Sequence, residues 1–381
     1  MSDSKRPARV LLVDSIGYSA MGGAAWVINE ILEGADRARH IPVLACLSKG
    51  QWPETAREKG IAAYSLPRTR VRSLRNLAEV VQGLRRIIRD ESIDLVHASE
   101  NTALLYSGLA TRTTGTRLVW HIHSPLTPRS REERLVARVL PHLRPDHVVF
   151  TSPAAQAKTM AFPGVPTSVV FPGVDLEACR SGDAEAGRRA FGIPDGVSVV
   201  SMFARVVPEK GAATFVECMG QLAAGHPDLH GILCGPGDAR GPFWQRLESM
   251  RAGYGLEDRL LLPGDVRPPR KHDVVAMSDV VLHTSHAESF GLAVLEAMAA
   301  GKPVVASEVD GPKLLIRPGV DGLLVKAGDT DGFARAVAGL LDDPEERTRL
   351  GRAAWAAAEH YPISETVRQT EDLWDTVLAS R

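Results

Sequence analysis

The chain has 381 residues, 44% of them hydrophobic and 24% charged, the proportions of a soluble globular protein. These values exclude disorder, a collagen-like repeat or a coiled coil as a description of the whole, and the length predicts two or three domains. The near-zero net charge of −1 hides an asymmetry: residues 1–171 carry 23 basic and 15 acidic side chains (+8), while residues 172–381 carry 22 and 31 (−9). Such halves are expected to form separate domains, the basic one facing an anionic partner. Modest charge, 5% aromatic residues and no binding motif argue against nucleic acid.

The four cysteines, Cys46, Cys179, Cys218 and Cys234, stand far apart with no Cys-x-x-Cys pair, so neither a disulfide framework nor a zinc knuckle is expected. The first apolar run, Val10–Val13, is too short for a signal-peptide core. No apolar run approaches the roughly 20 residues that span a bilayer. The expectation is a cytoplasmic protein. Two arginine clusters, Arg68, Arg70, Arg72, Arg75 and Arg129, Arg131, Arg134, Arg138, offer peripheral contact with a membrane on that side.

In chain order, short apolar runs alternate with helical patterns. Arg9–Val13 reads as a buried strand, followed by Gly22-Gly23 and a helix through Trp26, Val27 and Ile31. Ile41–Leu47 is a second strand. Leu74, Leu77, Val80, Leu84 and Ile87 recur at steps of three and four, which predicts an amphipathic helix over 73–90. Strands follow at 94–97, Arg117–His123 and His147–Thr151. A second round supplies Ser198–Phe203, Gly231–Cys234, Arg259–Leu262, Asp279–His283, Pro303–Ala306 and Gly322–Val325. This alternation predicts an α/β protein with two doubly wound parallel sheets and ligand sites at the carboxyl ends of the strands, facing a cleft between the domains. The turn-rich stretch between the rounds predicts an N-terminal domain over 1–171, a hinge over 172–196, a C-terminal domain over 197–360 and a final helical segment over 361–381.

Four constellations carry chemistry. The segment from His286 to Ala306 places Glu288 in a loop, opens a helix at Gly291 and puts Glu296 two turns along it. Free N–H groups at a helix start suit a phosphate, and paired carboxylates accept from sugar hydroxyls. The plainer reading makes Glu288 a cap and Glu296 a solvated helix position. Arg205 and Lys210 follow a strand and together could neutralise a diphosphate, or lie in an exposed loop paired with Glu209. Gly22-Gly23 lets backbone approach a phosphate, or serves helix–strand packing; it is neither a dinucleotide fingerprint nor a Walker loop. His121 and His123 fall on one side of a strand, with His123 at its carboxyl edge. With no acidic or cysteine partner nearby, a polar substrate contact fits His123 better than a metal. Asp329-Thr330-Asp331 precedes a helix and reads as a cap rather than a metal motif.

Taken in order, these pieces resemble the retaining GT-B glycosyltransferases of family 4, the glycosyl transferases group 1. The resemblance rests on Gly22-Gly23, Asp94–His97, the strand ending at His123, Phe171–Asp175, Arg205 to Lys210-Gly211, Leu233–Gly237, Leu262–Val266, Glu288 to Glu296, and Asp321–Val325. It implies two Rossmann-like domains, with a nucleotide sugar bound mainly by the C-terminal one and no metal needed. By residue, it implies that Arg205 and Lys210 hold the diphosphate and that Glu288 touches the donor sugar. Amides near Phe290, Gly291 and Leu292 would meet the phosphate, Glu296 the ribose, and residues around Val266 the base. Gly22 and Gly23 would close on the phosphates from the other domain, and His123 would meet donor sugar or acceptor. The final helix, Ile363–Leu378, would cross back onto the N-terminal domain.

Three departures stand out: Ala204 where glycine is common, Thr284 where proline is common, and Asp310-Gly311-Pro312-Lys313-Leu314 where a Gly-Gly-x-x-Glu stretch is frequent. The expected function is a hexosyltransferase using a nucleotide diphosphate sugar, with UDP favoured, on an unidentified acceptor: the charge of the basic half suits an anionic or lipid-linked one, and a small hydrophilic metabolite or an antibiotic aglycone is equally open. No further cofactor is expected. The alternatives are a nucleotide-sugar epimerase of the same fold and a non-catalytic nucleotide-sugar-binding partner subunit.

Overall fold

The computed structural model describes residues 6–15, 22–66, 74–99, 101–126 and 131–380. The chain divides into two compact units: residues 1–172 with 364–381, and residues 173–363.

The first unit holds seven strands: β1 (Ala8–Asp14), β2 (His40–Cys46), β3 (Ala63–Ser65), β4 (Leu95–Ser99), β5 (Arg117–Ile122), β6 (His147–Phe150) and β7 (Thr167–Val169). They pair in the order β3-β2-β1-β4-β5-β6-β7, every pair parallel. The strands β1, β4 and β5 are almost entirely buried, as strands of a parallel sheet are when helices cover both faces. The predicted helix over 73–90 forms at Leu74–Asp90 and buries Val80, Val81, Leu84, Ile87 and Ile88 in the core. Burying each such aliphatic side chain contributes about 1.5–3 kcal/mol, so this face anchors the helix.

The second unit holds β8 (Val199–Phe203), β9 (His230–Cys234), β10 (Leu260–Gly264), β11 (Val280–His283), β12 (Val304–Ser307) and β13 (Leu323–Val325), in the order β10-β9-β8-β11-β12-β13, again all parallel. Both sheets reverse their winding once, between β1 and β4 and between β8 and β11. Crevices outside the carboxyl ends at such reversals are the places where open α/β sheets bind ligands.

Two features differ from the sequence expectation. The strands β3 and β7 escaped it, because each has three residues at the sheet edge, needs one pairing partner and carries no apolar run. The stretch expected as a hinge is structured instead: from residue 173 it belongs to the second unit and carries helices Leu176–Arg180 and Ala184–Phe191, capped by Asp175 and Asp183. There Gly182 and Gly187 pack so closely on the Arg270–Met277 helix that a Cβ would meet the carbonyls of His272 and Asp273 at 2.2 and 2.6 Å. Turn signals and close helix packing both favour small residues, so the sequence alone did not separate them. The C-terminal helix is continuous over Ile363–Ala379, and the unit boundary falls within its first turn.

That helix is held to the first unit by a buried polar cluster. His40, with no exposed surface, meets Glu371 Oε1 at 2.8 Å through Nδ1 and Asp375 Oδ1 at 3.0 Å through Nε2. The Asp36 N–H also donates to Glu371 Oε1 at 3.0 Å, and Arg39 donates to Asp372 and Asp375.

Candidate functional site

The reversal in the second sheet collects the strongest sequence signals. Arg205 and Lys210 follow β8, and Glu288 follows β11, its neighbour. Two hydrogen bonds stitch the loops together: His286 N–H donates to Glu209 O at 2.9 Å, and Thr284 Oγ1 donates to Gly211 O at 2.8 Å. Thr284, one of the departures from the family pattern, thus ties the Lys210 loop to the end of β11. Gly211 lies at φ +72°, and a Cβ there would fall 1.9 Å from the Thr284 carbonyl oxygen, so the approach of these loops requires glycine.

Within this frame Lys210 Nζ donates to Glu288 Oε2 at 2.5 Å, and His283 Nε2 lies 3.5 Å from the same oxygen. Ser285 Oγ sits 3.2 Å from His283 Nε2. Burial raises the Glu288 pKa, but His283 and Lys210 outweigh it and hold the carboxyl at about 2. Glu288 is therefore an anion at neutral pH, suited to accepting hydrogen bonds from hydroxyls and unsuited to acting as a general acid. It is not a cap: the helix Leu292–Ala299 opens on Gly291 at φ +100° with no side-chain capping bond. The Phe290, Gly291 and Leu292 backbone lines that helix start. A third segment braces it, since Gly311 N–H donates to Glu288 O at 2.9 Å and a Cβ on Gly311 would meet Phe290 O at 2.4 Å. The departure at 310–314 thus keeps the one glycine this contact needs.

Glu296 sits on the same helix and accepts from Lys271 Nζ at 2.5 Å. Lys271, on the Arg270–Met277 helix, also lies over the Phe203 ring at the end of β8. Arg205 is exposed and makes no side-chain hydrogen bond or ion pair among the described residues. Val266 lies past β10, two strands from the reversal, and is half-buried. The structure thus brings Lys210 and Glu288 together and sets Glu296 on the adjoining helix, while Val266 follows β10.

The remaining predicted residues belong to the first unit. Gly22 precedes the helix Gly23–Gly34, and a Cβ on it would meet nothing within 4 Å, so packing does not demand glycine there. His123 follows β5; its carbonyl accepts from Thr151 Oγ1 at 3.0 Å, and its ring stacks on His121 at 4.0 Å between centroids. The His123 residue is half-buried, but its Nε2 is sealed from solvent, and burial lowers its pKa to about 3. Asp329 is the expected cap, accepting from Gly332 N–H at 2.9 Å. Of the basic clusters, Arg68, Arg70, Arg72 and Arg129 lie outside the described residues; Arg134 and Arg138 are exposed, and Arg75 pairs with Glu79. Among the described residues no helix is long and apolar enough to cross a membrane.

Sequence reasoning missed His283, Ser285 and Lys271 as members of this site. His283 had a signal, as the last residue of a strand at a carboxyl edge. Lys271 had none, since only tertiary packing brings it to Glu296.

Two family models match the chain: "Glycosyl transferases group 1" over residues 183–356 and "Glycosyltransferase Family 4" over residues 21–178. The chain belongs to the GT-B glycosyltransferases of family 4. Among curated relatives, a D-inositol 3-phosphate glycosyltransferase of Acidothermus cellulolyticus is 34% identical over 218 residues, covering 56% of this chain and 48% of the relative. Another of the same name from Corynebacterium glutamicum is 34% identical over 221 residues, covering 56% and 52%. The chain spans about half the length of these relatives. Among solved structures, Anabaena HepE in complex with UDP and glucose superposes with a TM-score of 0.83 at 24% identity, covering 97% of this chain and 100% of that one. At that identity the likeness speaks for the fold.

Proposed function

We propose that this protein transfers a hexosyl group from a UDP-sugar to a small anionic acceptor, with retention of anomeric configuration. The observation that carries the reading is the Lys210–Glu288–His283 cluster at the sheet reversal, beside a helix start with no side-chain cap. In the reaction, the bond from the sugar's anomeric carbon to the diphosphate oxygen breaks. A bond from that carbon to an acceptor oxygen forms on the same face, and the acceptor's proton passes to the departing diphosphate. Lys210 and Arg205 stabilise the charge that develops on the leaving group. Glu288, held ionised, orients the donor sugar through its hydroxyls, and Glu296 takes the ribose hydroxyls. The amides at Phe290, Gly291 and Leu292 face the phosphates at the helix start. For Gly22, Gly23, His123 and Val266 the proposed roles are those that the family resemblance implies.

The bound UDP of the Anabaena structure supports uridine as the base, and the relatives' names support an inositol-phosphate-like acceptor. The +8 charge of residues 1–171 supports an anion on the acceptor side. No metal enters the proposed steps. Thermal shift with UDP, GDP and ADP and their sugar conjugates, with and without EDTA, tests the donor. At a hundredfold excess over Kd a ligand adds about 2.7 kcal/mol, which raises the midpoint by several degrees at roughly 2–4 °C per kcal/mol. Release of UDP that depends on added inositol phosphate is the expected second result. Conversion of the donor without any acceptor points to the epimerase, and absence of any nucleotide effect sinks the transferase.

A further inference from the structure

The first unit contains a directed chain of hydrogen bonds that ends beneath His123. Trp374, fully buried on the C-terminal helix, donates its indole N–H to His97 Nδ1 at 2.9 Å. An indole N–H can only donate, so His97 Nδ1 is the acceptor and the single proton of this neutral ring sits on Nε2. That Nε2 lies 3.1 Å from His121 Nδ1, which must then accept, leaving the His121 proton on its own Nε2. The opposite assignment would set the indole N–H against an N–H of His97. A charged ring is disfavoured as well, because His97 and His121 are 0% and 1% exposed. The neighbouring Ser99, paired in register with His121, spends its hydroxyl on Asp14 at 2.5 Å. Glu371 and Asp375, the carboxylates near Trp374, are engaged by His40, whose ring meets the indole edge at 5.2 Å. The His123 ring stacks on the His121 imidazole, and the Nε2 atoms of both rings are sealed from solvent with no protein partner among the described residues.

We propose that Trp374 and His97 fix the tautomer of His121, and that this relay sets the ring dipole against which His123 is held. Trp374, His97 and His121 are positioning residues for His123, and the C-terminal helix takes part in the reaction through them. The link to turnover rests on the role given to His123 above; the relay itself does not.

A long-range proton–nitrogen correlation spectrum of the full-length protein with nitrogen-labelled histidine reads the relay directly. The expected wild-type result is a proton on Nε2 and a bare Nδ1 for both His97 and His121. A proton on Nδ1 of either ring, or a doubly protonated ring, overturns the proposal whether or not any variant folds. Trp374→Phe retains an aromatic ring but removes the donor. The expectation is a mixture of tautomers at His97 and His121, with kcat reduced about tenfold and donor KM retained, the low end of losing a partner that orients an imidazole. An unchanged imidazole spectrum in folded Trp374→Phe, or altered tautomers with wild-type kcat, rejects it. Failure of any nucleotide sugar to bind wild type instead rejects the transferase and leaves the spectrum to judge the relay.

Discussion

Lys271 Nζ and Glu296 Oε2 lie 2.5 Å apart, 25 positions from each other in sequence and on two different helices, each side chain about a fifth exposed. The pair neutralises the one carboxylate on the Leu292–Ala299 helix. Lys271 reaches a single oxygen of Glu296, and a carboxylate has lone pairs on both. The second oxygen is the one we assign to ribose.

Glu296→Ala is expected to raise the donor KM by about 10- to 100-fold, the range for losing a hydrogen bond to a charged group. The loss falls on binding rather than on chemistry, so kcat changes little. Steady-state kinetics with the donor varied checks this. An unchanged KM removes Glu296 from ribose recognition.

Lys210→Ala is expected to cut turnover by roughly 10²–10³-fold, the scale of losing one preorganised contact to developing charge. Donor affinity, measured by calorimetry with UDP alone, should fall much less. A folded variant with near-normal turnover takes Lys210 out of the mechanism.

Glu288 makes stability depend on acid. Its folded pKa of about 2 lies below the ordinary value of 4.5, because His283 and Lys210 overcome the burial penalty. A depressed carboxyl contributes stability that is present above its unfolded pKa and lost as pH falls through the folded one. The gap in urea midpoint between wild type and Glu288→Gln should therefore be full at pH near 5 and shrink as pH drops from about 4.5 towards about 2. A gap constant across that window would show that the pair is not what holds the carboxyl ionised.

Gly211→Ala places a methyl group 1.9 Å from the Thr284 carbonyl oxygen at a backbone φ of +72°. Strain and overpacking together predict a loss of about 3 kcal/mol in the second unit. At roughly 2–4 °C per kcal/mol its melting transition falls by about 6–12 °C. Gly22→Ala is the control, since its Cβ would meet nothing within 4 Å, and it should melt as wild type does.

Glu371→Leu removes the shared acceptor of His40 Nδ1 and the Asp36 N–H, both at the docking face of the C-terminal helix. Leaving a buried donor without its acceptor costs about 1–3 kcal/mol for each group. Hydrogen exchange should show residues 364–380 opening first. If that segment exchanges as in wild type, the cluster is not what holds the helix.

Much of the candidate site was legible because its signals are local. An apolar run ending in a loop and a glycine that opens a helix together marked Glu288, Gly291 and Glu296, and Arg205 and Lys210 followed the first strand of the second sheet. The same local rules misread residues 172–196, where glycines that permit close helix contact look like glycines that make turns. They passed over β3 and β7 because a three-residue edge strand has no periodicity to detect.

The sequence by itself determined the alternation of strands and helices, the two rounds of it, and the residue types poised at strand ends, because these follow from side-chain periodicity and turn chemistry within a few residues. The tertiary structure decided strand order, and with it where each sheet reverses and which strand ends share a crevice. It also decided the pairs with no local mark: Lys271 with Glu296, His283 with Glu288, and Trp374 with His97 across 277 positions. Such contacts arise where distant segments bury apolar faces together and their polar groups must find partners in the same space. No property of either segment alone records which partner that will be.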